Sequence, residues 1–350
     1  MRHNLALTLM RTMKQAILQA SAADKFVSLL KHPRLLSSNF DYRNTLWLGG
    51  AGRSGTTWFA NVVNYDRHYR DILEPFDSTY VAAARPFFSG LYLRPGDDTP
   101  RYLEAAKAIV SGKVGNRRLD YGNLRWFRRD RMVKEIHGNL WMKWLRDHFP
   151  EMPMIWLIRH PCAVVNSRWD LEWSTLVPQY LAQPTLMEDH LEPLRSHLEK
   201  AQSQFEKHVF GWCIQHYVPL RQLAQGDVHV VFYEQLAVDA PTELSRLSAF
   251  LDRPFRKGAL SALGAPSRTN FRETEIAGKK GEEVVAGWQR RFSSEQVREA
   301  VRILELFGLD GIYSDSPLPK VKPGCVLQHP NDAEKMQPAG PPVRIRVPSG

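Results

Sequence analysis

Cysteine is scarce in this 350-residue chain: only Cys162, Cys213 and Cys325 are present. They are far apart, odd in number and in no metal-ligand spacing. That excludes a disulfide framework and a zinc site and fits a reducing compartment, so a cytoplasmic location is expected. Long apolar runs are also missing; none approaches the ~20 residues a membrane span requires. The opening stretch MRHNLALTLMRTMKQAILQA has a short apolar core broken by Arg11 and Lys14 and no signal-peptide cleavage site, so a soluble protein is expected. The spacing of Ala6, Met10, Met13 and Ile17 reads as an amphipathic helix, either packed on the body of the protein or lying against a membrane surface. Contiguous basic runs with interleaved aromatics are absent too, which argues against a nucleic-acid-binding module.

What is present begins with charge. Lys and Arg total 47 against 37 Asp and Glu, for a net charge of +10. Such a balance favours anionic partners, whether phosphorylated cofactors, acidic glycans, nucleic acid or a membrane surface. Hydrophobic residues make up 43% of the chain, enough for the core of one large α/β domain.

The pattern predicts a strand over 45–49, a glycine loop, and a helix from Thr56 to Tyr65. Further strands over 132–136, 152–159 and 227–233 alternate with helices over 139–149, from Pro161, over 194–223 with a kink at Pro219, and over 240–251. Ser293 and Gln296 form the capping box of a last helix, which Gly308 stops. This alternation predicts a three-layer α/β fold, a mainly parallel sheet with helices on both faces. Residues 1–43 read as a helical extension, 44–315 as the main domain and 316–350 as a Pro-rich tail.

The loop GGAGRSGTTWF (49–59) carries the first chemistry. A tight turn from a strand into a helix N-terminus aims backbone N–H groups at one point, and the helix dipole favours an anion there. Gly50, Gly52 and Gly55 permit close backbone approach, and Thr56 and Thr57 add hydroxyl donors. The spacing from Gly50 to Gly55 matches the nucleotide triphosphatase loop, but Thr56 stands where the lysine belongs, and the cation is Arg53. A kinase or triphosphatase also needs an Asp at the end of a neighbouring apolar strand to hold magnesium. The strand over 152–159 ends instead in Arg159–His160, which leaves phosphoryl transfer as the weaker alternative.

A second motif, IWLIRHPCAVVNSR, places Arg159 at a strand end and Ser167 eight residues later, two helical turns on. The two can converge on one anion, with a guanidinium fork and a hydroxyl donor.

RSGTTW followed by IWLIRHPCAVVNSR resembles the sulfotransferases that use 3′-phosphoadenosine 5′-phosphosulfate (PAPS), whose fold is similar to that of P-loop NTPases. The resemblance runs from about Asn44 to Tyr313. It implies that the first motif, Gly52, Arg53, Ser54, Gly55, Thr56 and Thr57, holds the 5′-phosphosulfate, and that Arg159 and Ser167 hold the 3′-phosphate. It also implies that Trp58 stacks on the adenine, its other reading being a core tryptophan, and that Tyr233 of VVFYEQL borders the nucleotide, Glu234 being structural. GKKGEEVVAGWQRRF (278–292) resembles the loop that closes over the 3′-phosphate, which implicates Lys279, Lys280 and Arg290. Arg53 in place of lysine is similar to the carbohydrate and protein-tyrosine branch.

Sulfuryl transfer to a hydroxyl needs a proton acceptor, stabilisation of the departing phosphate and an in-line arrangement; it requires no metal in principle. Glu74 in RDILEPFD resembles the glutamate base of the carbohydrate branch and is preferred, although burial would have to raise its pKa to suit it to the task. His137 in VKEIHGNL resembles the histidine of the small-molecule branch, or serves as a second acceptor-site residue or a helix cap. Lys134 matches a family lysine beside the transferring group; Glu135, on the opposite pleat, is the weaker candidate. The stretch 169–193 reads as a lid over the acceptor or as a packed insertion. The expected acceptor is a carbohydrate or glycoconjugate hydroxyl, with a protein tyrosine or small-molecule alcohol as the alternative, and the protein acts as a monomer or homodimer.

Overall fold

Successive residues of each apolar strand point to opposite faces of a sheet, so strands apolar throughout must be covered twice. The computed structural model, which describes residues 39–120, 123, 130–264 and 281–327, meets that demand. Five strands, β1 (Thr45–Gly50), β2 (Arg70–Leu73), β3 (Arg131–Glu135), β4 (Met154–Ile158) and β5 (His229–Phe232), form one parallel sheet in the order β2-β3-β1-β4-β5. Along one face Trp47, Val133, Trp156 and Phe232 enter the larger core; along the other Leu48, Met132, Leu157 and Val231 enter a second.

The helices follow from this division. α1 (Thr56–Val63) lies on the second face with Phe59, Val62 and Val63 buried. The larger core takes α2 (Pro100–Val110), α3 (Met142–His148), α4 (Pro161–Asp170) and α5 (Gln204–Gln222). A short α6 (Tyr233–Val238) continues directly from β5, α7 (Ala240–Leu251) packs on the second face, and α8 (Ser294–Leu306) packs on α5. The chain is thus a three-layer α/β fold with the glycine-loop strand at the centre, the P-loop-like arrangement expected.

Most expected elements stand close to where the pattern puts them. α7 spans the expected 240–251, and α8 carries the Ser293–Gln296 capping box, with Gly308 at φ 65° two residues past its end. The helix expected over 194–223 is instead two pieces. A short turn of helix, Arg195–Lys200, ends at Ala201 in extended conformation, and α5 begins only after Ser203. The reason is local: Ser203 and Glu206 form a complete capping box, which fixes a helix start inside the apolar periodicity. Pro219 remains inside α5. From the Pro-rich tail, residues 316–327 run along the body, and Val326 and Leu327 enter the larger core. Residues 1–38 and 328–350 lie outside the described residues. The capping box makes Ser203→Ala cost about 1 kcal/mol of stability in urea denaturation, and Ser203→Asp should restore most of it.

Candidate active site

In a parallel sheet all strand C-termini meet at one edge, where ligands bind in open α/β folds. The strand order sets the sequence of groups along that edge: Glu74 after β2, Lys134 and His137 at the end of β3, the glycine loop after β1, Arg159 after β4 and Tyr233 after β5.

The loop itself is held in backbone conformations that side chains rarely adopt. Arg53 has φ 76° and Gly55, the N-cap of α1, has φ 94°. Gly55 cannot carry a side chain, because a Cβ would lie 2.8 Å from the Tyr233 ring; at Gly52 it would lie 2.7 Å from the Trp173 ring. Ser54 is buried, and its hydroxyl donates to the Ala51 carbonyl at 2.6 Å, bracing the turn. Thr56 is buried and Thr57 half-buried in the first turn of α1, where N–H groups have no intrahelical acceptor. Trp58 donates its indole N–H to the Leu263 carbonyl (3.1 Å), and its ring packs against Tyr233 with centroids 4.9 Å apart.

The two sequence motifs meet here. Arg53 Nε donates to Ser167 Oγ at 3.0 Å, and Arg159 reaches the Arg53 carbonyl at 3.4 Å while lying over the Tyr233 ring at 4.1 Å. Arg159 Nε is buried with no hydrogen-bond partner. A third guanidinium, Arg168, is buried between the Gly52 carbonyl (3.2 Å) and Gln215 (3.0 Å). The cations raise one another's cost. Burial and the charge of Arg159 lower the Arg53 pKa, against a smaller opposing effect of Glu74; burial, with Arg53 adding, lowers Arg168 to about 10. Three arginines beside a loop of backbone donors, with a cradle only glycine fits, suit a polyanion such as a phosphosulfate.

Glu74, at φ 50°, accepts from Lys134 Nζ at 2.5 Å and from Arg118 at 3.1 Å. Burial pushes its carboxyl upward, but Lys134, Arg118 and the charge of His137 outweigh it and hold the pKa below the ordinary glutamate value. The upward shift that a glutamate base was expected to need is therefore absent in this arrangement. Glu135 is fully buried and accepts backbone N–H bonds from Phe76, Ile136 and His137, which fixes the turn after β3. Glu234 likewise accepts from the His160 N–H (2.8 Å) and the Tyr313 hydroxyl (2.8 Å), a structural role.

His137 pairs its Nδ1 with Ser89 Oγ at 2.9 Å and lines a cleft next to the loop. The cleft holds about 540 Å³ of empty space counting its open mouth. Gly52 of the loop, His137, the segment residues Trp173, Ser174 and Leu176, and Lys207, Gly211 and Gln215 of α5 line it. The 169–193 segment thus walls the cleft at its N-terminal end. Further on it is tied to the 90–94 stretch by Gln183 to Gly90 (2.8 Å) and by Arg94 to Asp189 (2.7 Å).

Of the residues expected at the 3′-phosphate, Arg290 is exposed on the single turn Gly287–Arg290, while Lys279 and Lys280 lie outside the described residues. Sequence reasoning missed Arg118, Arg168, Trp173 and Lys207. A signal existed for the last: Lys207, Gly211 and Gln215 recur every four residues and so share one face of the helix.

Residues 43–303 match the family model described as the sulfotransferase domain. The chain belongs to the sulfotransferase family. It is a PAPS-dependent sulfotransferase, and the phosphoryl-transfer alternative falls. A comparison with curated protein sequences found no match. Similar solved structures include the sulfotransferase domain from the curacin biosynthetic pathway, at 16% identity and TM-score 0.44, covering 75% of this chain and 96% of that one. A mouse sulfotransferase, SULT7A1, complexed with PAP (3′-phosphoadenosine 5′-phosphate), matches at 15% identity and TM-score 0.37, covering 75% and 84%. Retinol dehydratase in complex with androsterone and the inactive cofactor PAP matches at 17% and 0.34, covering 76% and 80%. Likeness at these scores says nothing of the acceptor.

The Glu74–Lys134 pair has a pH consequence. Because its folded pKa is depressed, Glu74 contributes stability that is full above the unfolded glutamate value and is lost as pH falls through the folded one. Lys134→Met should raise the Glu74 titration, seen by NMR of its carboxyl carbon, and move the acid loss of stability to higher pH. An unchanged titration would contradict the pairing.

Proposed function

We propose that this sulfotransferase transfers the sulfuryl group of PAPS in line to a carbohydrate or glycoconjugate hydroxyl, with Glu74 as the proton acceptor. The observation that carries the cofactor placement is the meeting of Arg53 and Ser167, from two distant motifs, at 3.0 Å beside a glycine loop. PAPS supplies the sulfuryl group and, in its bisphosphate remainder, the leaving group.

The loop N–H groups, Thr56, Thr57 and Arg53 hold the phosphosulfate, and the unpartnered Nε of Arg159 supports a 3′-phosphate contact shared with Ser167. Arg290, Lys279 and Lys280 belong to the same phosphate by sequence resemblance. Trp58 and Tyr233 form the aromatic border of the nucleotide. Lys134 neutralises charge on the bridging oxygen as the S–O bond breaks. In doing so its ammonium leaves Glu74 with Arg118 alone, and burial, less opposed, then raises the carboxyl toward the basicity a general base needs. The cleft lined by Gly52 and His137 receives the acceptor, and the partly exposed indole of Trp173 in its lining offers a flat apolar face to a sugar ring.

A second reading gives His137 the proton, because it lines the cleft directly. The two separate by turnover of PAPS against a panel of glycan, peptide and phenolic acceptors. Glu74→Gln should lower kcat by about 10²–10⁴ and His137→Ala far less. Loss on His137→Ala with Glu74→Gln active would reverse the assignment. Arg53→Ala should weaken PAP binding in calorimetry, and a glycan-inactive, peptide-active protein would overturn the acceptor class.

A further inference from the structure

We propose that the acceptor carries an anionic group, a carboxylate or sulfate, beside the hydroxyl to be modified, and that Lys207 is the residue that selects it. This rests on the sulfotransferase reading of the cleft. The lining contains cations and imidazoles and no Asp or Glu. Two of these groups are already committed: Arg168 holds the Gly52 carbonyl and Gln215, and burial and Arg168 keep His208 neutral, its pKa lowered to about 4.

Lys207 is different. It is half-buried on the cleft face of α5, and among the described residues no carboxylate pairs with it. One turn along the same face, Gly211 leaves open space: an added Cβ there would meet nothing within 4 Å. Close backbone contact does not explain that glycine, whereas its small size leaves room for a ligand beside the ammonium. An ammonium at a cleft wall with no carboxylate partner is free to pair with a ligand anion, and the pair gains strength as the ligand excludes water from it. Trp173, 38% exposed, lines the same cleft, so a ring can stack on it while its anionic substituent reaches Lys207. The arrangement fits a uronic acid or sulfated sugar better than a neutral one.

The test uses matched acceptors binding to the PAP-saturated full-length protein. One arm pairs methyl glucuronoside with methyl glucoside, and the other a 6-sulfated sugar with its unsulfated parent. The anionic member should bind at least about tenfold more tightly in one or both arms, which also tells carboxylate from sulfate. Lys207→Ala should bring that ratio close to one, and Lys207→Glu should invert it. Lys107→Ala, which removes an exposed lysine of α2 and changes net charge equally, should leave the ratio as it was. Equal binding within both pairs, a preference that survives Lys207→Glu, or a Lys207→Ala loss confined to PAP would overturn the proposal. Failure of the parent protein to bind PAP would instead remove the reading on which it stands.

Discussion

The site depends on β1 being paired in parallel on both sides. With β3 on one flank and β4 on the other, the register Gly49↔Glu135 and Gly50↔Leu157 brings three strand ends to nearly the same level. The loop after β1, the turn after β3 and Arg159 after β4 therefore converge without any contact between them having to be strong. Sheet hydrogen bonds and the double apolar cover set the spacing, and the outer strands add Glu74 and Tyr233 at the two ends. A slip of one residue in β1 would turn Trp47 out of the larger core and move the loop off its partners.

That rigid frame carries an electrostatic arrangement unfavourable by itself. Arg53, Arg159 and Arg168 crowd one point, where burial and a neighbouring arginine lower the basicity of Arg53 and of Arg168, and the loop that presents Arg53 is in the left-handed region. Neither feature helps the fold. Strain and like charge at one point persist where the surroundings over-determine them. Here Tyr233 under Arg159, Ser54 on Ala51 and Gln215 on Arg168 do so. A bound polyanion reverses the sign of the interaction, so affinity for it is the counterpart of the stability the frame forgoes.

The layers and the parallel sheet were legible in the sequence because they are written in local patterns: apolar strands, glycine spacing, a proline at the first turn of α4. The pairing of the two distant motifs came instead from their resemblance to the sulfotransferases. The capping box at Ser203 was also local, yet the apolar periodicity on either side of it masks the break. What could not be read was the set of partners brought by folding. Arg118 reaches Glu74 from a loop 44 residues away, and nothing near either residue signals the pair. The expectation that burial raises Glu74 treated the carboxyl alone, whereas two cations decide its state. Lys207 was hidden for a related reason, since a lysine on a helix reads as a solvated surface until the wall opposite it is known.

The Glu74–Lys134 pair shows why a low pKa in this arrangement does not disqualify a base. A carboxylate poised at neutral pH before substrate arrives would be partly protonated, and solvent could reach it beside a reactive phosphosulfate. Paired with Lys134 it is fully ionised and its basicity is suppressed. The ammonium is 2% exposed and sits at the end of the strand next to the loop, so a phosphosulfate in that loop competes for it with more charge than Glu74 offers. On the proposed assignment, basicity would rise only when the group to be transferred is in place, and the same displacement would put the cation on the atom where charge develops. One side-chain movement would couple base to leaving group, which ties proton removal to the presence of the donor.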